Sequence, residues 1–283
     1  MAQKRTSLIV IPARYQSSRL PGKPLRQIWG QTMIKRVHER CVETGLETVV
    51  ATDDERIVNE CVKQSMDYVM TSSECLTGTD RVAEVAKVRP DYKGYINVQG
   101  DEPFVTPSDI LMISDLLCNS HPITNSYQYG KAEVLCGMCR IEEPEQYYSP
   151  NVPKIAFNQD RMGHSGLLRY ISRAPIPGVK ANMGWPKGNA WKQVCIYGFS
   201  SWHLHQFTEQ KEKTTLEYIE DIEILRFLEI GIPVRMVMIQ GSPLAVDTEN
   251  DLKRANDLYE YMLEYPTPNA DKEILNKLKK ENK

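Results

Sequence analysis

The chain has 283 residues, 41% hydrophobic and 25% charged, with a formal net charge of −2 at neutral pH. That size allows one large α/β domain or two modest ones, and the charge balance excludes a whole-molecule basic field for nucleic acid. No apolar run approaches the roughly 20 residues that span a bilayer, and the apolar part of "MAQKRTSLIVIPARY" is too short for a signal peptide, so a cytoplasmic protein with no nucleic-acid or membrane partner is expected.

Apolar runs of strand length alternate with helical patterns through the first half. Residues 7–11 read as a strand and 32–43 as a helix with Met33, Ile34 and Val37 on one face. A strand at 48–52 leads to a helix at 54–63, capped by Thr52 or Asp53. Then come a short strand at 68–70, a helix at 80–88, a strand at 94–98 and a helix at 106–118 opened by Thr-Pro-Ser. This βα rhythm predicts a doubly wound, mainly parallel sheet covered by helices on both faces.

Near residue 120 the rhythm gives way to strand-rich sequence, with β segments at 132–141, 153–158 and 167–172. A loop rich in Gly, Pro and Trp follows at 177–192, then a strand at 193–200, a single helix at 214–231, a strand at 233–239 and a helix at 246–264. The expected organisation is one α/β domain over 1–265 with a β-rich insertion at about 121–200, and a lysine-rich tail at 266–283. The seven cysteines are irregularly spaced, which argues against a disulfide framework. Cys136 and Cys139 form a CxxC inside a strand pattern, with no second CxxC or His pair beside it, and read as buried thiols.

The loop "IPARYQSSRLPGKPL" crowds Arg14, Arg19 and Lys23 directly behind the first strand. In parallel α/β sheets ligands bind at the carboxyl ends of strands, and backbone amides with Arg and Lys are the means of holding a polyphosphate there. The loop is neither a Walker A motif, because Pro24 follows Gly22-Lys23, nor a GxGxxG turn. Polyphosphate chemistry also calls for a divalent ion, and Mg²⁺ takes one or two protein carboxylates besides phosphate and water oxygens. "YINVQGDEPFV" sets Asp101 just beyond an apolar strand and "PLAVDTENDL" sets Asp247 after another short apolar run. Either acid could instead be a turn or helix-start residue; a metal site requires that the fold bring both to one cleft.

At these residues the sequence resembles the CMP-Kdo synthetases (3-deoxy-manno-octulosonate cytidylyltransferases). "IPARYQSSRLPGKPL", "VVATDDERI", "TGTDRVAEV", "NVQGDEP", "ISRAPIP", "IYGF" and "VDTENDL" fall in that family's order at similar spacing, from about residue 8 to 258. The resemblance implies a nucleotide-diphospho-sugar transferase-like fold whose β-rich insertion makes a homodimer interface. It implies transfer of CMP from CTP to an acidic 2-keto sugar. By position, Arg14, Ser17, Ser18, Arg19 and Lys23 would hold the nucleotide phosphates, with Thr79, Arg81 and Gln99 near the same cleft. Asp101 and Asp247 would hold Mg²⁺, and Arg14, Lys23 and the two aspartates would carry the chemistry. Arg173, Gln193, Tyr197 and Glu217 would face the acceptor. Two positions depart from the family: Gln193 and Cys75 stand where it places histidines. The departures keep open another ulosonic acid or a phosphonate as acceptor. A non-catalytic nucleotide-binding regulator is the reading from a different class.

Overall fold

The computed structural model describes residues 5–118, 134–160, 165–180, 184–241 and 244–264. The strands in chain order are β1 (Arg5–Ala13), β2 (Gln27–Ile28), β3 (Gln31–Thr32), β4 (Glu47–Thr52), β5 (Tyr68–Met70), β6 (Tyr92–Val98), β7 (Val134–Arg140), β8 (Lys154–Gln159), β9 (Ser165–Ser172), β10 (Trp191–Phe199) and β11 (Val234–Met238). The helices are α1 (Met33–Val42), α2 (Glu55–Lys63), α3 (Gly78–Val88), α4 (Pro107–Cys118), α5 (Pro144–Tyr148), α6 (Ser201–Glu209), α7 (Thr215–Glu220), α8 (Ile224–Glu229) and α9 (Glu249–Glu264). The expected tail lies outside the described residues.

Nine strands form one sheet in the order β5-β4-β1-β6-β10-β7-β11-β9-β8. β5, β4, β1 and β6 are mutually parallel. β10 then runs antiparallel to both β6 and β7, and the β9 pairings with β11 and β8 are antiparallel too. The sheet is therefore mixed rather than mainly parallel. Strands from the segment after residue 133 continue the same sheet: β10 lies beside β6, and β7 lies beside β10. Apolar side chains on alternate faces of the strands build two core layers, one around Leu8, Val10 and Val49, the other around Ile9, Ile11 and Val50.

A third apolar cluster positions the site. Leu20 and Ile28 of the N-terminal loop and hairpin and Met33 at the start of α1 pack with Phe104 and with Leu244, Val246, Leu252, Ala255 and Leu258 in and before α9. The final helix is thus docked against the segment that follows β1. Trp29 N donates to Asn256 Oδ1 at 2.8 Å, and Arg36 Nη1 donates to the Tyr259 hydroxyl at 2.7 Å.

Two helical expectations are corrected. α2 is capped by Asp54, whose side chain accepts from Arg56 N, rather than by Thr52 or Asp53. The continuous helix read over 214–231 is two short helices, broken where Asp221 adopts φ +50°. The break is held from outside: Arg173 Nε donates to Glu220 O at 2.5 Å and its Nη2 to Asp221 O at 3.1 Å. Those carbonyls are lost to helix continuation. α6, opened by a Ser200–His203 capping box, and the short α5 were not anticipated.

Candidate active site

The end of β1 and the end of β6 come to one edge of the sheet, because both strands run the same way and pair in register. Beyond β1 the chain enters the basic loop; beyond β6 it turns through Gln99, Gly100 and Asp101. A side chain at Gly100 would place its Cβ 3.0 Å from Pro12 O. The glycine permits two strand ends to approach.

Lys23 starts a 3-10 turn (Lys23–Leu25) after Gly22, which has φ +67° and packs under the Tyr15 ring. Arg56 lies over the Tyr15 ring, 3.3 Å from its centroid. So held, Lys23 Nζ donates to Asp101 Oδ2 at 2.6 Å and to Asp247 Oδ1 at 3.0 Å. Arg19 Nη2 also reaches Asp247 Oδ1, at 3.2 Å. The two acids are joined through the main chain as well, since Val246 N donates to Asp101 O at 2.9 Å. Asp251 accepts from Asp247 N and Thr248 N, fixing the turn that carries the second carboxylate. Burial alone would lower the Lys23 pKa, but the charges and hydrogen bonds of Asp101 and Asp247 outweigh it and hold the ammonium protonated. Ser17 Oγ accepts from Leu20 N at 3.3 Å, shaping the loop, and Ser18 is exposed beside it.

These carboxylates fit a hard divalent cation: two anionic oxygens converge on a single point where positive charge is already held. Among the described residues no cluster of three or more His, Cys, Asp or Glu side chains forms a closed metal cage. Remaining coordination would come from phosphate oxygens and water, the usual mode for Mg²⁺ with a nucleotide.

Next to this cluster lies a cleft of about 280 Å³, whose walls include Arg14, Arg81, Gln99, Arg173, Gln193 and Tyr197. Gln193 and Tyr197 come from β10, which shifts register against β7 between Val194 and Tyr197. Such irregularities re-aim side chains beside binding sites; here Gln193 Nε2 donates to the Tyr197 hydroxyl at 2.9 Å. Burial pushes that hydroxyl's pKa well up, so it stays a neutral donor. Arg173 sends its guanidinium to the carbonyls of Glu220, Asp221 and Pro150. Arg81 is buried and engaged with Asp53 Oδ2 (2.8 Å), Thr71 Oγ1 (2.7 Å) and Ser72 O (3.2 Å), so it braces the cleft floor as much as it lines it. Two thiols, Cys75 and Cys195, also line the cleft. Burial raises Cys75 to about 12 and Cys195 well above its ordinary range, which removes both as thiolate nucleophiles.

Glu217 is not at the cleft. It is fully buried, bonded by two oxygens to Arg226 at 2.6 and 2.7 Å, and it closes the capping box of α7 with Thr214. Glu223 occupies the wall instead, accepting from Gln99 Nε2 and from the backbone N–H of the buried Thr79, both at 2.9 Å. Burial raises its pKa against the lowering effect of the hydrogen bonds from Thr79 and Thr77. The break after Glu220 turns Asp221, Ile222 and Glu223 into the cleft, and nothing local in "TLEYIEDIE" announces it.

Among solved structures, the fold matches a CMP:2-keto-3-deoxy-manno-octonic acid synthetase complexed with CTP, with a TM-score of 0.75 and 30% identity, over 91% of this chain and 99% of that one. A cytidylyltransferase from Leptospira borgpetersenii shares the fold at a TM-score of 0.60 and 15% identity, over 98% of this chain and 95% of that one. A mixed α/β sheet with a basic loop beyond β1 and two acids, one beyond β6 and one before α9, meeting at Lys23 is here the frame of a nucleotidyltransferase. The model of the family described as cytidylyltransferase matches residues 8–239. The 3-deoxy-manno-octulosonate cytidylyltransferase of Marinobacter nauticus is 38% identical over 89% of this chain and 96% of its own length. That of Porphyromonas gingivalis is 37% identical over 88% and 94%. The chain belongs to the cytidylyltransferase family.

Proposed function

We propose that this enzyme transfers CMP from CTP to the anomeric hydroxyl of 3-deoxy-manno-octulosonate and releases pyrophosphate, with Mg²⁺ as its metal. The observation that carries the reading is the meeting of Asp101 and Asp247 around Lys23, from three distant parts of the chain, beside the cleft. The relatives' names support the base and the acceptor.

In the reaction a bond forms between the acceptor hydroxyl oxygen and the α-phosphorus, and the bond from that phosphorus to the pyrophosphate oxygen breaks. The transition state is rich in negative charge, so positioning and electrostatic stabilisation supply most of the acceleration. Arg14, Arg19 and Lys23 are assigned to bind the phosphates and to stabilise the charge that builds on the departing pyrophosphate. Ser17 and Ser18 add hydroxyl donors on the same loop. Asp101 and Asp247 would hold Mg²⁺, which when bound supplies a Lewis acid for the phosphate oxygens. Gln99, Thr79 and Arg81 shape the nucleotide side of the cleft. Arg173 is assigned to the acceptor carboxylate, and Gln193 and Tyr197 to its hydroxyls. Glu223 takes the acceptor-facing place first given to Glu217, since its carboxylate stands in the wall with oxygens available to a sugar hydroxyl.

A second reading keeps the same chemistry with a different acidic acceptor. Gln193 favours it, because an amide bonded to Tyr197 reads hydroxyl patterns differently from the imidazole the family usually carries there. A pyrophosphate-release assay with CTP and Mg²⁺ against a panel of acidic sugars tests both. Turnover with 3-deoxy-manno-octulosonate at the highest kcat/KM supports the first, a clear preference for another acid supports the second, and no turnover with any acid overturns the function.

A further inference from the structure

Lys154 opens β8 and is fully buried. Its ammonium donates to two main-chain carbonyls, Ser149 O at 2.7 Å and Arg173 O, and among the described residues it makes no ion pair. Burying a cation that touches no carboxylate is costly, and an apolar side chain of the same length would fill the space without that penalty. The position therefore asks what the charge does.

The register answers. Lys154 pairs with Ser172 in β9 and with Lys192 in β10, so it sits where the strands carrying two walls of the cleft meet. Gln193 N donates to Pro153 O at 3.0 Å on the same side. Around Arg173 the arrangement is polarised. The Glu220 carboxylate accepts from Arg173 N at 2.8 Å and from Ser172 Oγ at 2.6 Å, while the Lys154 ammonium takes the Arg173 carbonyl. One residue's backbone is gripped by a negative group on its N–H and a positive group on its C=O, both through charge-assisted bonds. Its side chain is then laid across Pro150 O, Glu220 O and Asp221 O at the cleft wall.

We propose that Lys154 and Glu220 are positioning residues that act through Arg173, and that this grip sets the enzyme's affinity for its acidic acceptor while leaving nucleotide binding alone. The inference rests on the assignment of Arg173 to the acceptor carboxylate. A misplacement of about 1 Å in such a group is enough to cost a large factor in binding or rate.

A double-mutant cycle separates this from a merely structural role. KM for CTP and for 3-deoxy-manno-octulosonate, and kcat, are measured by pyrophosphate release for Lys154→Met, Arg173→Met and the double variant. Loss of a charge-assisted contact to a carboxylate raises acceptor KM by about 10-fold or more in Arg173→Met. Lys154→Met raises it several-fold, with CTP KM within about twofold of the parent, and adds less than about twofold in the Arg173→Met background. Equal effects of Lys154→Met in both backgrounds, or equal rises in both KM values, overturn the proposal. An unchanged acceptor KM in Arg173→Met overturns the placement of Arg173 itself, and the proposal with it. Glu220→Gln, which keeps the shape and an accepting oxygen, runs the same cycle should Lys154→Met fail to fold.

Discussion

The ion pair of Arg226 with Glu217 and that of Lys23 with Asp101 and Asp247 use the same chemistry at different depths. Arg226 and Glu217 are both 0% exposed, and the guanidinium also reaches Asp80 and the Phe207 carbonyl. The Lys23 cluster keeps 18–30% of its side-chain surfaces in contact with solvent, at the rim of a cleft. A pair with no exposure cannot trade its partner for a ligand. A pair at a rim can, because phosphate and metal arrive with the charges needed to replace each side. Depth, rather than the presence of acid and base, separates a structural pair from a functional one.

The difference can be broken by substitution. Arg226→Met leaves the Glu217 carboxylate buried and uncompensated, and should cost about 3–5 kcal/mol of stability in denaturant titration, with KM for CTP unchanged in whatever protein stays folded. Asp101→Ala should do the reverse, cutting kcat at least ~10²-fold while the thermal midpoint stays put. A large loss of stability in Asp101→Ala would mean that the rim cluster is structural after all. Lys23→Ala should raise KM for CTP by about 10-fold, the scale of one charge-assisted contact, with acceptor KM much less affected; a shift in acceptor preference would misplace the loop.

The smallest effect concerns pH and the buried Lys154. Burial lowers its pKa to about 8, with Glu220 opposing that shift and Arg173 adding to it. Between pH 8 and the unfolded-state value of about 10.4 the unfolded chain binds the extra proton and the folded chain does not, so this group's contribution favours folding more as pH rises. The thermal midpoint of Lys154→Met relative to the parent should therefore be highest below pH 8 and decline above it. A difference independent of pH from 7 to 10 would show that Lys154 keeps its charge throughout.

Much of the site could be read before any coordinates. Asp101 and Asp247 each follow a short apolar run and precede a turn or helix start, which is local information; Asp101 lies just beyond β6 and Asp247 in the irregular segment that leads into α9. The basic loop after β1 is equally local. What could not be read depends on distant contacts. The break at Asp221, which trades Glu217 for Glu223, comes from the Arg173 guanidinium taking two carbonyls some fifty residues away in sequence; propensity over 214–231 favours a continuous helix. The antiparallel insertion of β10 between β6 and β7 leaves no trace in the βα rhythm either, since a strand's pattern tells its faces but not its neighbour. α6 opens with His203 at the capping-box position where Glu or Gln is usual.

The contact between Lys23 and Asp247 spans 224 positions of sequence, and the second carboxylate is brought to the site by the turn into α9 and the apolar seat of that helix. A chain emerging from the ribosome can therefore complete the parallel strands and the basic loop long before it owns both acids. Catalytic competence arrives with the last helix, and a product truncated before residue 247 would keep much of the sheet while lacking half of its cation site.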